Sequence, residues 1–344
     1  MRDIRELKYL QSLPLERKIE MTAERIDAWY QHYDGNVAVS FSGGKDSRVL
    51  LDIARNHWRG HKDIKGVFVD TGLEYPEIRQ FVNTFDNVEI IRPKMNFVEV
   101  IKKYGYPIIS KEVSRCVQYG KKARAENRVN TDLLKLQGKF TMHNGKKSIY
   151  NKEKWGKLMD VSFNVSAECC TVMKKQPAHE YSKMNGVYFI TAEMACESRQ
   201  RETQWLINGC NGFDLEIPKS TPMAFWTEQD VLEYIYKNNL PIAEPYGEVI
   251  ETECQLTFDG EQCKYATTGC DRTGCMFCAF GAHLEKGKTR FQRLKETHPK
   301  QYNYCLNGGE FVNGLWQPNK QGLGMRYVFD ELNSLYGDDF IRYK

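Results

Sequence analysis

Residues Val37-Ala38-Val39-Ser40-Phe41-Ser42-Gly43-Gly44-Lys45-Asp46-Ser47 decide how this chain folds. The short apolar run follows the turn pair Asp34-Gly35 and reads as a buried strand. Beyond the glycines, Val49-Leu50-Leu51 and Ile53-Ala54 have helical spacing. Adjacent glycines let successive N–H groups turn toward one concavity, which holds an anion. The helix that follows adds its free N–H groups and the positive end of its dipole. Lys45 supplies a mobile charge, while Ser42 and Ser47 supply hydroxyl donors. Asp46 is expected as a helix cap or on the magnesium side, because a carboxylate facing phosphate needs a cation between them. The spacing is not that of a Walker loop, which needs four residues between Gly and Gly-Lys.

Working outward, residues 3–31 read as amphipathic helix, broken near Pro14. A second strand over 66–69 ends at Asp70-Thr71-Gly72, and 75–85 reads as helix. A strand at 88–91 and a helix at 97–104 continue the alternation. After a break, a helix around 170–183, a strand at 187–191 and a helix over 198–207 resume it. Thr227-Glu228-Gln229-Asp230 resembles a capping box opening the helix 231–237. Such alternation predicts an α/β fold, a doubly wound parallel sheet covered on both faces. The expected organisation is an N-terminal helical extension (1–35), a nucleotide-binding domain (36–250) with a basic insertion at about 110–165, and a Cys-rich C-terminal region (251–344).

The 344 residues are 41% hydrophobic and 27% charged, which is globular composition. No apolar run approaches the roughly 20 residues needed to span a bilayer, and the charged N-terminus lacks a signal peptide's apolar segment. The expected location is therefore the cytoplasm, with no membrane partner. Between 111 and 157, thirteen Lys and Arg face four Asp and Glu, a local charge of +9 in a chain of +4. That segment suits a polyanionic partner such as nucleic acid, or is simply a solvated insertion. Eleven cysteines in a reducing compartment point to metal or redox-active thiols before disulfides.

Several motifs together resemble the PP-loop ATP pyrophosphatase superfamily, and within it the phosphoadenosine phosphosulfate (PAPS) reductase family. Ser42-Gly43-Gly44-Lys45-Asp46-Ser47 resembles the family's pyrophosphate loop, and 69–77, with Asp70, Thr71 and Gly72, its second-strand segment beside the nucleotide. Cys169-Cys170 with Lys174 and Pro177 is similar to its Cys-Cys-x-x-x-Lys-x-x-Pro segment. Glu197-Ser198-Arg199 with Arg201 resembles its Glu/Gln-Ser-x-x-Arg anion-binding segment, and Trp226-Thr227-Glu228-Gln229-Asp230-Val231 its Trp-Thr-x-x-Asp-Val stretch. The resemblance implies an enzyme, transferase or oxidoreductase, acting at the α-phosphate of ATP or on adenylyl sulfate, with magnesium expected for ATP. Lys45, Asp46, Lys174 and Arg199 are its expected catalytic groups. Arg199 and Arg201 have forked guanidinium groups suited to phosphate or sulfate; ion pairs with Glu197 or Glu202 are the plainer reading.

Cys275-Met276-Phe277-Cys278 brings two thiolates within reach of one metal. Two ligand sets are open: Cys169, Cys170, Cys275 and Cys278, which resembles the set holding a [4Fe–4S] cluster in adenylyl-sulfate reductases, or Cys270, Cys275, Cys278 and Cys305, suited to zinc or a cluster. Cys116, Cys196 and Cys210 are expected in the core. The reductases' Glu-Cys-Gly-Leu-His motif is not present, and the last cysteine is Cys305, which leaves room for a displaced nucleophile. Three functions follow: sulfate reduction with a thioredoxin-like partner, ATP-dependent thiolation of tRNA or DNA with a sulfur-donor protein, and non-catalytic nucleotide sensing.

Overall fold

The computed structural model describes residues 2–257 and 260–344, with the side chains of 255–263 left aside. The chain divides into two compact units, each made of several stretches. The first comprises 1–70, 74–92 and 177–273; the second comprises 71–73, 93–176 and 274–344.

The first unit is built on a six-stranded sheet in the order Val88–Ile91, Lys65–Val69, Val37–Ser40, Tyr188–Ile190, Lys219–Ser220, Asn211–Gly212. Every neighbouring pair is parallel except the last, which is antiparallel. Val37, Ala38 and Val39 are all buried, as a continuous apolar strand covered on both faces requires. The chain leaves Val37–Ser40 toward Lys65–Val69 on one side, while Tyr188–Ile190 pairs on the other. Strand order therefore reverses at the carboxyl end of Val37–Ser40, the switch point where such sheets bind ligands. The 42–47 loop stands at that point.

The expected N-terminal extension is part of this unit's core. Helices Ile4–Ser12 and Leu15–His32, broken at Pro14 as anticipated, contribute Leu7, Leu10, Leu15, Ala23, Ile26 and Trp29 to the apolar cluster around the sheet. Lys18 is buried there because Asp230 takes its charge at 2.8 Å. Asp230 belongs to the capping box at Thr227, which opens the helix Glu228–Lys237.

The second unit joins the basic segment to the C-terminal third. Residues of the expected basic insertion form the helices Lys111–Ala125 and Thr131–Leu136, which bury Val113, Val117, Leu133 and Leu136. Several of its cations have structural partners. Lys121 donates to the Val161 and Phe163 carbonyls at 3.0 and 2.9 Å. Arg124 pairs with Asp160 at 2.7 Å, Lys152 with Glu112 at 3.2 Å, and Lys147 with Glu153. A parallel pair of short strands, Ile108–Ile109 and Ala279–Phe280, ties the basic segment to the residues after the CxxC. Helices Arg290–Thr297, Pro299–Leu306 and Met325–Tyr336 bury Phe291, Leu294, Cys305, Val328, Phe329 and Leu332. Among the described residues, no helix is long and apolar enough to cross a membrane.

Candidate functional site

In the first unit, the phosphate loop is shaped by its own side chains. Ser47 Oγ accepts from the Ser42 N–H at 3.1 Å and donates to the Gly44 carbonyl at 2.9 Å. Ser42 Oγ accepts from the Gly44 N–H at 3.3 Å and lies 3.0 Å from Ser47 Oγ. Gly43 has φ +71°, and a Cβ there would stand 2.8 Å from methyl carbons of both Ile78 and Val82. Only glycine meets both demands. The helix Lys45–Asn56 starts at Gly44 with no side-chain cap, so the first-turn N–H groups are left for an anion.

Lys45 is 4% exposed, and its Nζ donates to Glu228 Oε1 at 2.7 Å and to the Asp271 carbonyl at 2.6 Å. Glu228 stood in the sequence only within a helix start and an unspecified position of the Trp-Thr-x-x-Asp-Val stretch, and Asp271 gave no signal because it acts through its carbonyl. Asp46 is not a cap: its Oδ1 is shut off from solvent with no hydrogen-bond partner among the described residues. Burial raises the Asp46 carboxyl above its ordinary range, against the opposing pull of Lys45, Arg272 and Arg201. A buried oxygen without a donor is costly. Its chemistry fits an oxygen-seeking cation such as magnesium, which would also satisfy the phosphate opposite.

Asp70, at the end of Lys65–Val69, is buried and held by Arg79 at 2.8 Å and Arg92 at 3.4 Å. Ser198 caps the helix Arg199–Asn208, accepting from the Arg201 N–H. Arg199 is exposed. Arg201 pairs with Glu197 and reaches Glu193 at 3.6 Å, so the plainer reading holds for it in this state. Arg272, which the sequence did not single out, lies 3.5 Å from the other Glu197 oxygen. Cys196 is exposed rather than in the core, whereas Cys116 and Cys210 are buried as expected.

In the second unit, Cys169, Cys170, Cys275 and Cys278 line one small cavity with Lys174, Met173, Leu73, Phe97 and Pro107. Cys169-Cys170 sits at a junction where α-helix gives way to the π-turn Thr171–Lys175, a local widening often found at functional positions. Thr71, Gly72 and Leu73 belong here: Leu73 N–H donates to Thr71 Oγ1 at 3.2 Å, and the Leu73 carbonyl accepts from Met276 N–H at 2.8 Å. A Cβ on Gly72, at φ +74°, would meet nothing within 4 Å.

The hydrogen bond from Cys169 (Sγ to Sγ 4.0 Å), with Lys111 and Lys174, lowers the Cys170 thiol, while Cys169 rises correspondingly. Lys111 had counted only toward the basic segment. Cys305 does not line this cavity; it is fully buried, and burial raises its thiol, which disqualifies it as an accessible nucleophile. Cys270 packs against the core of the first unit. Four thiols around one cavity suit zinc or a cluster by donor chemistry. Among the described residues, no three Cys, His, Asp or Glu side chains converge at metal-holding spacing. The cavity, about 20 Å³, has the room of one ion or water.

Comparison with known proteins follows the same segments. The sequence model described as the phosphoadenosine phosphosulfate reductase domain matches residues 36–124 and 118–279. Over 292 residues the chain is 25% identical to an uncharacterized protein of Methanocaldococcus jannaschii, spanning 82% of this chain and 51% of that protein. A second uncharacterized protein of that organism is 42% identical over 82 residues, 23% of this chain and 17% of its own. The chain thus spans about half the length of the first relative, and the match to the second is shorter still. The crystal structure of a PAPS reductase from Candida auris, a phosphate complex, aligns at 16% identity with TM-score 0.36, covering 71% of this chain and 91% of that one.

Proposed function

This chain belongs to the phosphoadenosine phosphosulfate reductase domain family, and from that premise we propose that it is an enzyme acting at the α-phosphate of ATP or on adenylyl sulfate, in sulfur metabolism or sulfur transfer. One observation carries the proposal. At the switch point of the sheet, an uncapped helix start, a left-handed Gly43, a buried Lys45 and an unsatisfied Asp46 oxygen meet in six consecutive residues.

The loop N–H groups and the helix dipole would take the phosphate oxygens. Lys45 would exchange Glu228 for phosphate, so that its charge offsets the negative charge developing in the transition state. Asp46 Oδ1 would hold magnesium, which supplies charge neutralisation between phosphate oxygens. Arg199, with Ser198 and Arg201 in the next segment, would bind the outer anion. Lys174, beside the paired cysteines, would act on the second unit's chemistry. Asp70, fixed by Arg79 and Arg92, would contact the nucleotide from the adjoining strand.

Cys169, Cys170, Cys275 and Cys278 would hold the metal centre. Among the described residues no three such donors converge at metal-holding spacing, so either zinc or a [4Fe–4S] cluster would require the thiols to shift. Zinc would be structural; a cluster would add electron-transfer character.

The reaction is tested by incubating the protein with ATP or adenylyl sulfate and identifying products by mass spectrometry. Pyrophosphate release with sulfur retained on tRNA or DNA indicates thiolation; sulfite release with a thioredoxin indicates reduction. Binding with no turnover in either assay leaves nucleotide sensing and rejects the enzyme. Replacement Lys45→Ala must weaken nucleotide binding, and unchanged affinity removes the site.

A further inference from the structure

Arg272 lies between two anchored neighbours. On one side the Asp271 carbonyl accepts from Lys45 Nζ at 2.6 Å. On the other, Thr273 Oγ1 lies 3.0 Å from Tyr246 Oη, the same hydroxyl that a Cβ on Gly44 would meet at 3.1 Å. One residue upstream, the Cys270 N–H donates to the Pro245 carbonyl at 2.9 Å. The backbone of 270–273 is thereby fastened to the phosphate loop and to the turn packed on it. The Arg272 side chain is held far more loosely. It is 63% exposed, and its guanidinium reaches Glu197 at 3.5 Å, longer than a direct charge-assisted hydrogen bond.

Glu197 holds a second guanidinium as well. Its Oε2 pairs with Arg201, while its Oε1 faces Arg272. One carboxylate therefore gathers two forked cations from segments 71 positions apart in sequence. Two guanidinium groups on one carboxylate form a ready receptor for a second oxyanion, because a sulfate or terminal phosphate offers both forks the kind of oxygens that the carboxylate now supplies.

We infer that Arg272 is a substrate-binding residue, the second arm of an anion clamp with Arg201, which moves from Glu197 onto the oxyanion beyond the α-phosphate. The inference rests on the nucleotide reading of the 42–47 loop and specifies which part of the ligand this arm reads: the β,γ-phosphates of ATP or the sulfate of adenylyl sulfate, not the nucleoside monophosphate.

The test is equilibrium binding of AMP, ATP and adenylyl sulfate to the full chain and to R272Q and R272K, with thermal melting of each. The exposed position predicts unchanged melting. R272Q is expected to weaken ATP and adenylyl sulfate roughly tenfold while AMP stays within about twofold, the loss of one charge-assisted contact. R272K should recover part of the loss, since it restores charge without the fork. Equal weakening of AMP and ATP, or no weakening, overturns the clamp. If the unsubstituted protein binds neither AMP nor ATP, the nucleotide reading falls first and takes this inference with it, a result read before any variant is compared.

Discussion

The phosphate loop and the cysteine cavity are assembled in opposite ways. The loop's shape comes from six adjacent residues whose serines bond to one another and whose glycine turns the chain. The cavity draws its thiols from two stretches about a hundred residues apart, plus a strand-end segment, 71–73, pinned to the CxxC by Leu73 and Met276. A locally built site is robust to changes elsewhere and fragile to any change within it. A site gathered from distant stretches depends on the packing of its whole unit.

The largest effect that would break this contrast is at Gly43. Gly43→Ala imposes a left-handed angle on a residue with a Cβ and forces that Cβ against Ile78 and Val82. A stability loss of about 1–3 kcal/mol or more is expected, with nucleotide affinity down at least roughly tenfold. A melting curve and titration at wild-type values would show that the loop is not shaped as described.

Next in size is metal content. Cys275→Ser should remove most bound iron or zinc from anaerobically purified protein, while Cys305→Ser should leave metal unchanged and lower only stability, since Cys305 is a core residue. Metal analysis giving the reverse pattern would transfer the site to the other cysteine set.

A smaller effect sharpens the picture of the loop. Glu228→Gln removes the charge that holds Lys45 at 2.7 Å, so nucleotide should bind a few-fold more tightly. Weaker binding in calorimetry would mean that Glu228 itself serves the ligand.

The smallest concerns the second unit's packing. Burial lowers Lys121 to about 8 from 10.5. Between those values the unfolded chain holds the extra proton, so this group makes stability rise with pH there. Lys121→Met should remove that rise, seen as a flatter difference in urea midpoints between pH 7.5 and 10. An unaltered slope would place the lysine in solvent.

These differences track how much was readable beforehand. The parallel sheet, the broken N-terminal helix, the capping box at Thr227 and the glycine turn at 42–47 depend on neighbours within a few residues, where apolar period and glycine chemistry suffice. The packing of the basic segment was not legible because charge counts do not reveal partners: Arg124 finds Asp160 and Lys121 finds two carbonyls only after the chain returns. The grouping into two units was not legible for the same reason, since 71–73 and 93–176 fold with 274–344 across long sequence gaps.

By itself the sequence determined the sheet's central strand, the glycine turn and the residue types able to meet phosphate and metal, because each is set by backbone sterics and side-chain chemistry close at hand. Tertiary structure alone decided that Lys45 rests on Glu228, that Asp46 keeps an unsatisfied oxygen, that Glu197 joins two arginines and that Cys305 is sealed in a core. Those outcomes depend on which distant groups packing brings within a few ångströms, and charge and hydrogen-bond energies vary steeply over that distance.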